Sequence, residues 1–530
     1  MPDLVRDTVF GQLVRLTSRN KLLKYPDELD PSLWRRFIQE EAIGGTEKSS
    51  SDEVEKDTHL VTWQGPDDPE GTHKALRKQN WTSNRKLLVT SQICVLNFAV
   101  YVGSAIYTPG EASIMEEFGV GETAATLGLS SFVLGYGLGP MLFSPMSEMP
   151  QIGRSGIYFY TLLAFVLLQL PTGYAINMSM FLAFRFFTGF FGGPVLATGG
   201  ATIADMYPPS KIAYGICIWG AFGILGPVLG PLVGGFAAQA KGWRWTIWEL
   251  TWACAVVLVV LFFLMPETNP DTILYRRAKR LRKATKETKL RSQSEIDAAE
   301  HTWRDHMVVL GRAFILSFFE PVVFLLDLYT ALLYGVLYIW FESFPLVFGD
   351  IYHFNTGEQG LAFLGIFVGG ILTLPFYLLW LRYSFLPKMS KPDFKPEMVL
   401  PPSFFGAFAL PVCLFLYGWT ARESVHWIVP IVGSGIFTIS IITLFNPMLN
   451  YLGMAYPMYS ASVYAGNTLF RASFGVVFPL FARSLFHKLG IEGGNSLLGG
   501  LSICFIPIPF VLHRFGKRIR HASKNARHDV

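Results

Sequence analysis

Six charged side chains interrupt long apolar runs, and they offer the most chemistry. Arg185 lies in FLAFRFFTGFFGGPVLATGGATIADMY, and Asp205 closes the same run. Glu249 comes early in the run that starts near residue 246, Asp327 and Glu342 share another, and Arg471 lies within NTLFRASFGVVFPLF. A charge at the centre of a hydrocarbon layer costs roughly 2.5–3.5 kcal/mol. Groups kept at that cost carry protons, bind charged solutes or pair with one another. Arg185, Asp205, Asp327 and Glu342 are therefore the candidates for proton coupling. Arg185 has a second reading, an outer-face arginine whose long stem reaches the headgroups. Asp327 and Glu342 lie on one helix face, about four turns and roughly 22 Å apart in depth. One is expected near mid-membrane and the other near the outer mouth.

A second pattern is structural. Residues 222–236 read FGILGPVLGPLVGGF, with Gly223, Gly226, Gly230, Gly234 and Gly235 beside Pro227 and Pro231. Gly226, Gly230 and Gly234 recur every fourth residue, so they share a helix face along which another backbone can approach closely. The prolines each remove one backbone hydrogen bond, which neighbours in a bundle absorb. Gly230 is expected to meet GIFVGGILTLP (365–375), where Gly365, Gly369 and Gly370 have matching spacing.

Other chemistries find no support. The five cysteines, Cys94, Cys217, Cys254, Cys413 and Cys504, all fall in apolar runs without metal-pair spacing, and ten histidines are scattered. No GxxxxGK[ST] phosphate loop occurs. No cofactor, metal, nucleic-acid partner or enzymatic activity is expected.

These residues need a scaffold in lipid. The 530 residues are 51% hydrophobic and 16% charged, with mean hydropathy +0.36, against about a quarter charged in soluble domains. Apolar runs near bilayer length fall at about 87–109, 123–146, 155–175, 180–204, 212–238 and 246–265. A second set falls at about 321–347, 360–382, 402–421, 427–450, 455–484 and 495–515. Helices are expected, because each satisfies its own backbone in lipid. The fold class is therefore an all-α polytopic membrane protein with twelve spans in two sets of six. The organisation is a tail at 1–86, a six-helix half at 87–265, a central loop at 266–320, a second half at 321–515 and a tail at 516–530.

Charge sets the expected orientation. The gap from Gly110 to Glu122 holds four glutamates and no Lys or Arg, whereas the central gap from Glu267 to Phe319 holds eleven Lys and Arg. Positive gaps alternate with poor ones, which places both termini and the central loop in the cytoplasm. Residues 4–24 read as a basic amphipathic helix, lying either on the membrane or on the protein's inner face. RRAKRLRK (276–283) rests on anionic headgroups or is a solvated loop. TEKSSSDEVEKD (46–57) reads as disordered and open to phosphorylation.

Twelve spans in two sixes with a basic central loop resemble the major facilitator superfamily, and three local patterns agree. SPMSEMPQIGR (144–154) is similar to that superfamily's G-x-x-x-D-R-x-G-R loop. Gly153 and Arg154 match its end and Glu148 stands at the acid, while the first glycine and inner arginine are missing. Arg185 with Gly189 and Gly193 resembles the fourth-span R-x-x-x-G pattern of proton-coupled members, and 222–236 resembles the fifth-span pattern of drug:proton antiporters. SAIYTPG (104–110), PETNPDTIL (266–274), LYTALLYGVLYIWFESFPLVF (328–348) and YPMYSASVYAGNTLFRASFGVVFPLF (456–481) resemble the fungal twelve-span, benomyl- and fluconazole-resistance type. VTWQGPDDPEGTHKALRKQNW (61–81) fits less closely at EGTHKALRKQNW.

The resemblance implies a monomeric plasma-membrane exporter of small toxic or amphipathic compounds, exchanging them for protons by alternating access. It implies coupling at Arg185 and export from the fifth-span pattern. Cavity-lining candidates are Asn97, Tyr101, Tyr107, Tyr329, Tyr334, Trp340, Tyr464, Asn467 and Arg471. A carrier of one metabolite, such as a polyamine, and a non-transporting receptor or scaffold stay open. Glu148, Arg154 and Asp205 are expected to meet as a cytoplasmic latch.

Overall fold

The computed structural model describes residues 5–29, 59–63, 81–300, 311, 314–389, 391–523 and 526. The acidic stretch 46–57 lies outside the described residues. Eleven helical stretches are long and apolar enough to cross a membrane. The last, Ser462–His521, is two spans joined at Gly490, whose φ of 73° and ψ of 166° leave the helical region. Twelve spans result among the described residues.

In the first half the spans are Ser83–Ala105, Glu122–Glu148, Gly153–Gly173, Met178–Met206, Pro209–Lys241 and Trp243–Leu264. In the second half, span seven is Pro321–Phe344, followed by Thr356–Met389, Pro401–Thr420 and Ile428–Ala455. Spans eleven and twelve are 460–489 and 491–522. The expected bounds 455–484 and 495–515 left a link between the last two, which the structure closes to one residue. Local signals start several helices. The Thr82 hydroxyl accepts from the Arg85 amide, Asn177 caps span four, and Asn355 with Glu358 forms a capping box at span eight. Wide π turns at Pro345–Ile351, Leu381–Phe385 and Ile441–Phe445 fall in the second half.

Within the first half, span one packs on five and two on four. Within the second, seven packs on eleven, eight on ten and nine on twelve. Spans two and eleven, and five and eight, join the halves. All five cysteines are free thiols. Four are buried, and Cys504 is exposed.

The glycine face of span five has a different partner from the expected one. A Cβ on Gly226 would lie 2.6 Å from Tyr101 Cβ, and one on Gly230 would lie 3.1 Å from the Ile106 amide and the Val102 carbonyl. Gly234 faces the Ile106 carbonyl. This face therefore packs on span one, inside its own half. Gly365 and Gly369 pack on Ile431 and Gly435 of span ten. The contact between halves uses the neighbouring face, about 100° round the helix. A Cβ on Gly235 would lie 2.7 Å from the Thr356 carbonyl, and one on Gly360 would lie 2.5 Å from the Pro231 carbonyl. Gln239 also accepts from the Gly357 amide at 3.0 Å.

On the side that carries the termini, the tail and central segment form one layer. Helix Val9–Thr17 sets Phe10 against Phe262 and Phe263, and leaves Leu13 and Leu16 exposed. It thus packs on the end of span six with an open apolar edge. The basic stretch after residue 275 is largely paired: Arg277 and Arg280 meet Asp27, and Arg282 meets Glu295. His59–Leu60 pairs in parallel with Leu290–Arg291 over Val61, Ala278 and Leu281.

Candidate functional site

Charged clusters and a cavity between the halves lie along the helix bundle. The first surrounds Arg185, which is fully buried and so does not snorkel. Its guanidinium donates to the carbonyls of Gly103 at 2.7 Å, Ser104 at 3.1 Å and Gly128 at 3.2 Å. The rings of Tyr107 and Phe132 flank it at 4.6 and 4.5 Å. Three carbonyls and two π faces solvate the cation in place of water. Spans one, two and four are thereby tied together, and no carboxylate among the described residues lies within ion-pair distance of Arg185.

The second cluster lies at the terminal side of the first half. Arg154 Nε donates to Asp205 at 2.6 Å with both groups buried. Glu148, the third expected member, is exposed and lines the same cavity. A residue that sequence reasoning placed only in a motif completes the cluster. Glu267 of PETN accepts from the amides of Arg154, Thr268 and Asn269 and from the Ser155 hydroxyl. Gly153 permits this. Its φ is +76°, and the Glu267 carboxylate occupies the place a Cβ would take. The i, i+1 position of Gly153 and Arg154 was the visible signal; the distant acid had none.

The gap between the halves is lined by tyrosines. Tyr101 and Tyr334 hydroxyls are 3.3 Å apart, and Tyr136 donates to Tyr338 at 3.1 Å. Arg471 lies over Tyr334 at 4.5 Å and Phe445 at 4.8 Å, bonds Thr468 and leaves its Nε without an acceptor. Asn467 donates to Asp327 at 2.9 Å and to Thr330. Tyr136 and Tyr338 were missed. The four-residue step from Tyr334 to Tyr338 to Glu342 was the available signal, since it sets all three on one face of span seven.

Below these residues, on the terminal side, a cavity of about 300 Å³ lies between the halves. Ser144, Thr198 and Ile216 line it from the first half, and Phe385, Asn450 and Tyr464 from the second. Of the expected lining residues only Tyr464 borders this cavity, and three of the others lie inside one half. Tyr107 donates to the Ala125 carbonyl and packs on Phe181, inside the first half. Trp340 packs on Tyr417 and Phe437, and Tyr329 on Phe505, inside the second. Their aromatic bulk fills each half's own core. Asn97 donates to the Trp219 carbonyl, tying spans one and five. A hollow of about 500 Å³ between spans eight and ten is lined from one half only.

The third cluster closes the side away from the termini, here called the far side. Arg483 of span eleven donates to Glu342 at 2.6 Å. It lies 3.2 Å from Glu122 and 3.5 Å from Glu111 of the first half. Thr126 also donates to Glu342. One of Asp327 and Glu342 was expected near an outer mouth, and Glu342 is the one that lies in this far-side cluster. Arg483, Glu111 and Glu122 were seen only as loop charges that set orientation.

An all-helical bundle of two sixes, joined through a polar gap, defines a polytopic membrane transporter. Residues 93–479 match the profile of the Major Facilitator Superfamily, and the chain belongs to that family. It is 42% identical over 535 residues to Transporter mfs1 of Schizosaccharomyces pombe, covering 98% of this chain and 99% of that one. It is 40% identical over 482 residues to Fluconazole resistance protein 1 of Saccharomyces cerevisiae, covering 90% and 86%. The solved proton:xylose symporter XylE superposes with a TM-score of 0.57 at 14% identity, covering 82% of this chain and 96% of that one. That likeness concerns the fold.

Proposed function

We propose that this transporter exports small amphipathic, toxic compounds across the plasma membrane in exchange for protons, by alternating access and as a monomer. The observation that carries the reading is the asymmetry of the gap: a cavity bordered by both halves on the terminal side, and a far side closed by Arg483 across the halves. With the termini in the cytoplasm, as the alternation of basic loops suggests, this is the state that loads from inside. The cavity volume is at the lower end for drug-sized ligands, and its wall, mostly apolar but including Glu148, Arg154 and Asp205, suits amphipathic solutes. The relationship to a fluconazole resistance protein supports the same class.

Energy from the proton gradient is sufficient. One inward proton at 100 mV supplies about 2.3 kcal/mol, enough for roughly a fiftyfold gradient of neutral solute. Purified protein in liposomes with an imposed pH gradient tests the reading. Fluconazole should move against the proton flow and stop when a protonophore collapses the gradient. Movement that ignores the gradient would overturn proton exchange. A panel of inhibitors on deletion and overexpressing cells then ranks substrates.

A further inference from the structure

The far-side cluster has more acid than base. Glu111 and Glu342 are 4% and 1% exposed, and both face Arg483. Glu122 is half exposed and keeps water. The two buried glutamates therefore share one guanidinium, and their bonding is unequal. Glu342 receives both Arg483 Nε and the Thr126 hydroxyl. Glu111 has one oxygen 3.5 Å from Arg483 Nη2, beyond a good hydrogen bond, and its Oε1 has no partner. A buried carboxylate with an empty oxygen and half of a shared counter-ion is more stable as the acid.

The remaining charged neighbours do not offer Glu111 a second cation. Arg185 faces it but is held by three carbonyls. The Tyr107 hydroxyl also approaches Glu111, but it is neutral and its proton is directed to the Ala125 carbonyl at 3.0 Å. From spans five and six, Arg244 is taken by Glu117 and Lys241 lies over Trp245. Glu116 and His487 are exposed, the latter one turn beyond Arg483.

We propose that Glu111, Glu342 and Arg483 form a proton-operated gate, in which closing the far side takes up one proton from the outer water onto Glu111. The proton adds to the free carboxylate oxygen and no other bond changes. Closure then buries a neutral set: one carboxylic acid, one carboxylate and one guanidinium. Opening returns Glu111 to water, where it ionises. The gate rests on the alternating-access reading and gives it a named residue on the outer side.

The equilibrium itself provides the test. Cysteines replace the exposed far-side residues Ile176 and Ser424, Cys504 becomes Ala, and both new thiols are spin-labelled in full-length protein in nanodiscs. Distances are measured from pH 5 to 8. Uptake of one proton makes the closed-to-open ratio fall about tenfold per pH unit through the transition. Glu111→Gln, which carries a permanently neutral group, should stay closed and lose the slope. Glu342→Gln should open more at every pH, and His487→Gln should keep the wild-type slope. A pH-independent wild type, an unchanged slope in Glu111→Gln, or a slope lost in His487→Gln would overturn the gate. Should Glu111→Gln fail to fold, the wild-type and His487→Gln slopes still decide. Fluconazole exchange in liposomes separates the two readings. A titrating gate without exchange removes the exporter alone, and exchange with a flat gate removes the gate alone.

Discussion

Two arginines hold carboxylates at opposite ends of this molecule, and they do so under different rules. Arg154 and Asp205 lie in one half, both buried, and Glu267 beside them is satisfied by three backbone amides. Arg483 reaches across to the other half and serves three glutamates. With Arg276 3.5 Å from Glu267, the first cluster sets two arginines against two buried acids and need never part when the halves rock, since spans two, three and four move together. The second must part whenever the far side opens. Satisfied buried charge suits a permanent joint, and under-satisfied charge suits one that reopens.

Substitutions sharpen that contrast, beginning with the largest effect. Asp205→Asn leaves Arg154 buried beside a neutral amide. Removing one member of a buried pair costs about 3–5 kcal/mol, so the melting temperature in detergent should drop sharply and little protein should reach the membrane. The Arg483→Gln protein should fold, because its partners meet water when the far side opens. Equal loss of folded protein in both would erase the distinction.

Arg185→Lys comes next. A lysine keeps the charge but lacks the planar fork that reaches carbonyls of spans one and two together. Each charged hydrogen bond contributes about 1.5–3 kcal/mol, so thermal stability should fall, with Arg185→Ala lower still. An Arg185→Ala protein of wild-type stability that has lost only pH-driven efflux would make this arginine a coupling residue instead of a tether.

The glycines of span five offer a pair only one turn and a residue apart. Gly230→Leu pushes span one away inside a half, so its overpacking cost of about 1–3 kcal/mol should appear as lower yield in every state. Gly235→Leu pushes on Thr356 across the gap and should instead depopulate the far-closed state at normal yield, read by the same spin-label distances. Identical behaviour would mean that the two faces do not separate packing from gating.

The smallest effect concerns the tail. Burial raises the Glu28 carboxyl, but bonding to Arg15 and the Tyr25 amide outweighs it and holds the group below its ordinary value of 4.5. A depressed acid stabilises above its unfolded value and ceases to as pH falls through the folded one. Proteolysis of the tail should therefore quicken below about pH 4.5, and a Glu28→Gln tail should be cut quickly at pH 7.

The spans were legible because lipid imposes one solution on each apolar run. Arg185 and Asp205 were legible because charge in such a run is costly, and Arg154 because a loop pattern marked it. Partnership was not. Gly230 reads the same whether it faces span one or span eight, since periodicity gives a face and not its neighbour. Tyr107 and Trp340 have the composition of a cavity wall but fill cores. Glu111 sat in a short gap and Arg483 at the end of a run, where a charge costs little in sequence terms, and only the meeting of the halves brings them together.

Gly490 has a mechanical consequence. One residue with positive φ joins spans eleven and twelve, so there is no slack between them. Arg483 lies two turns before that corner, and span twelve runs back to Arg520, which is clamped to Glu397 at the opposite end. Any tilt imposed on span eleven by the far-side contacts is handed to span twelve as by a connecting rod. It arrives some thirty residues later, where span twelve pulls on the link between spans eight and nine.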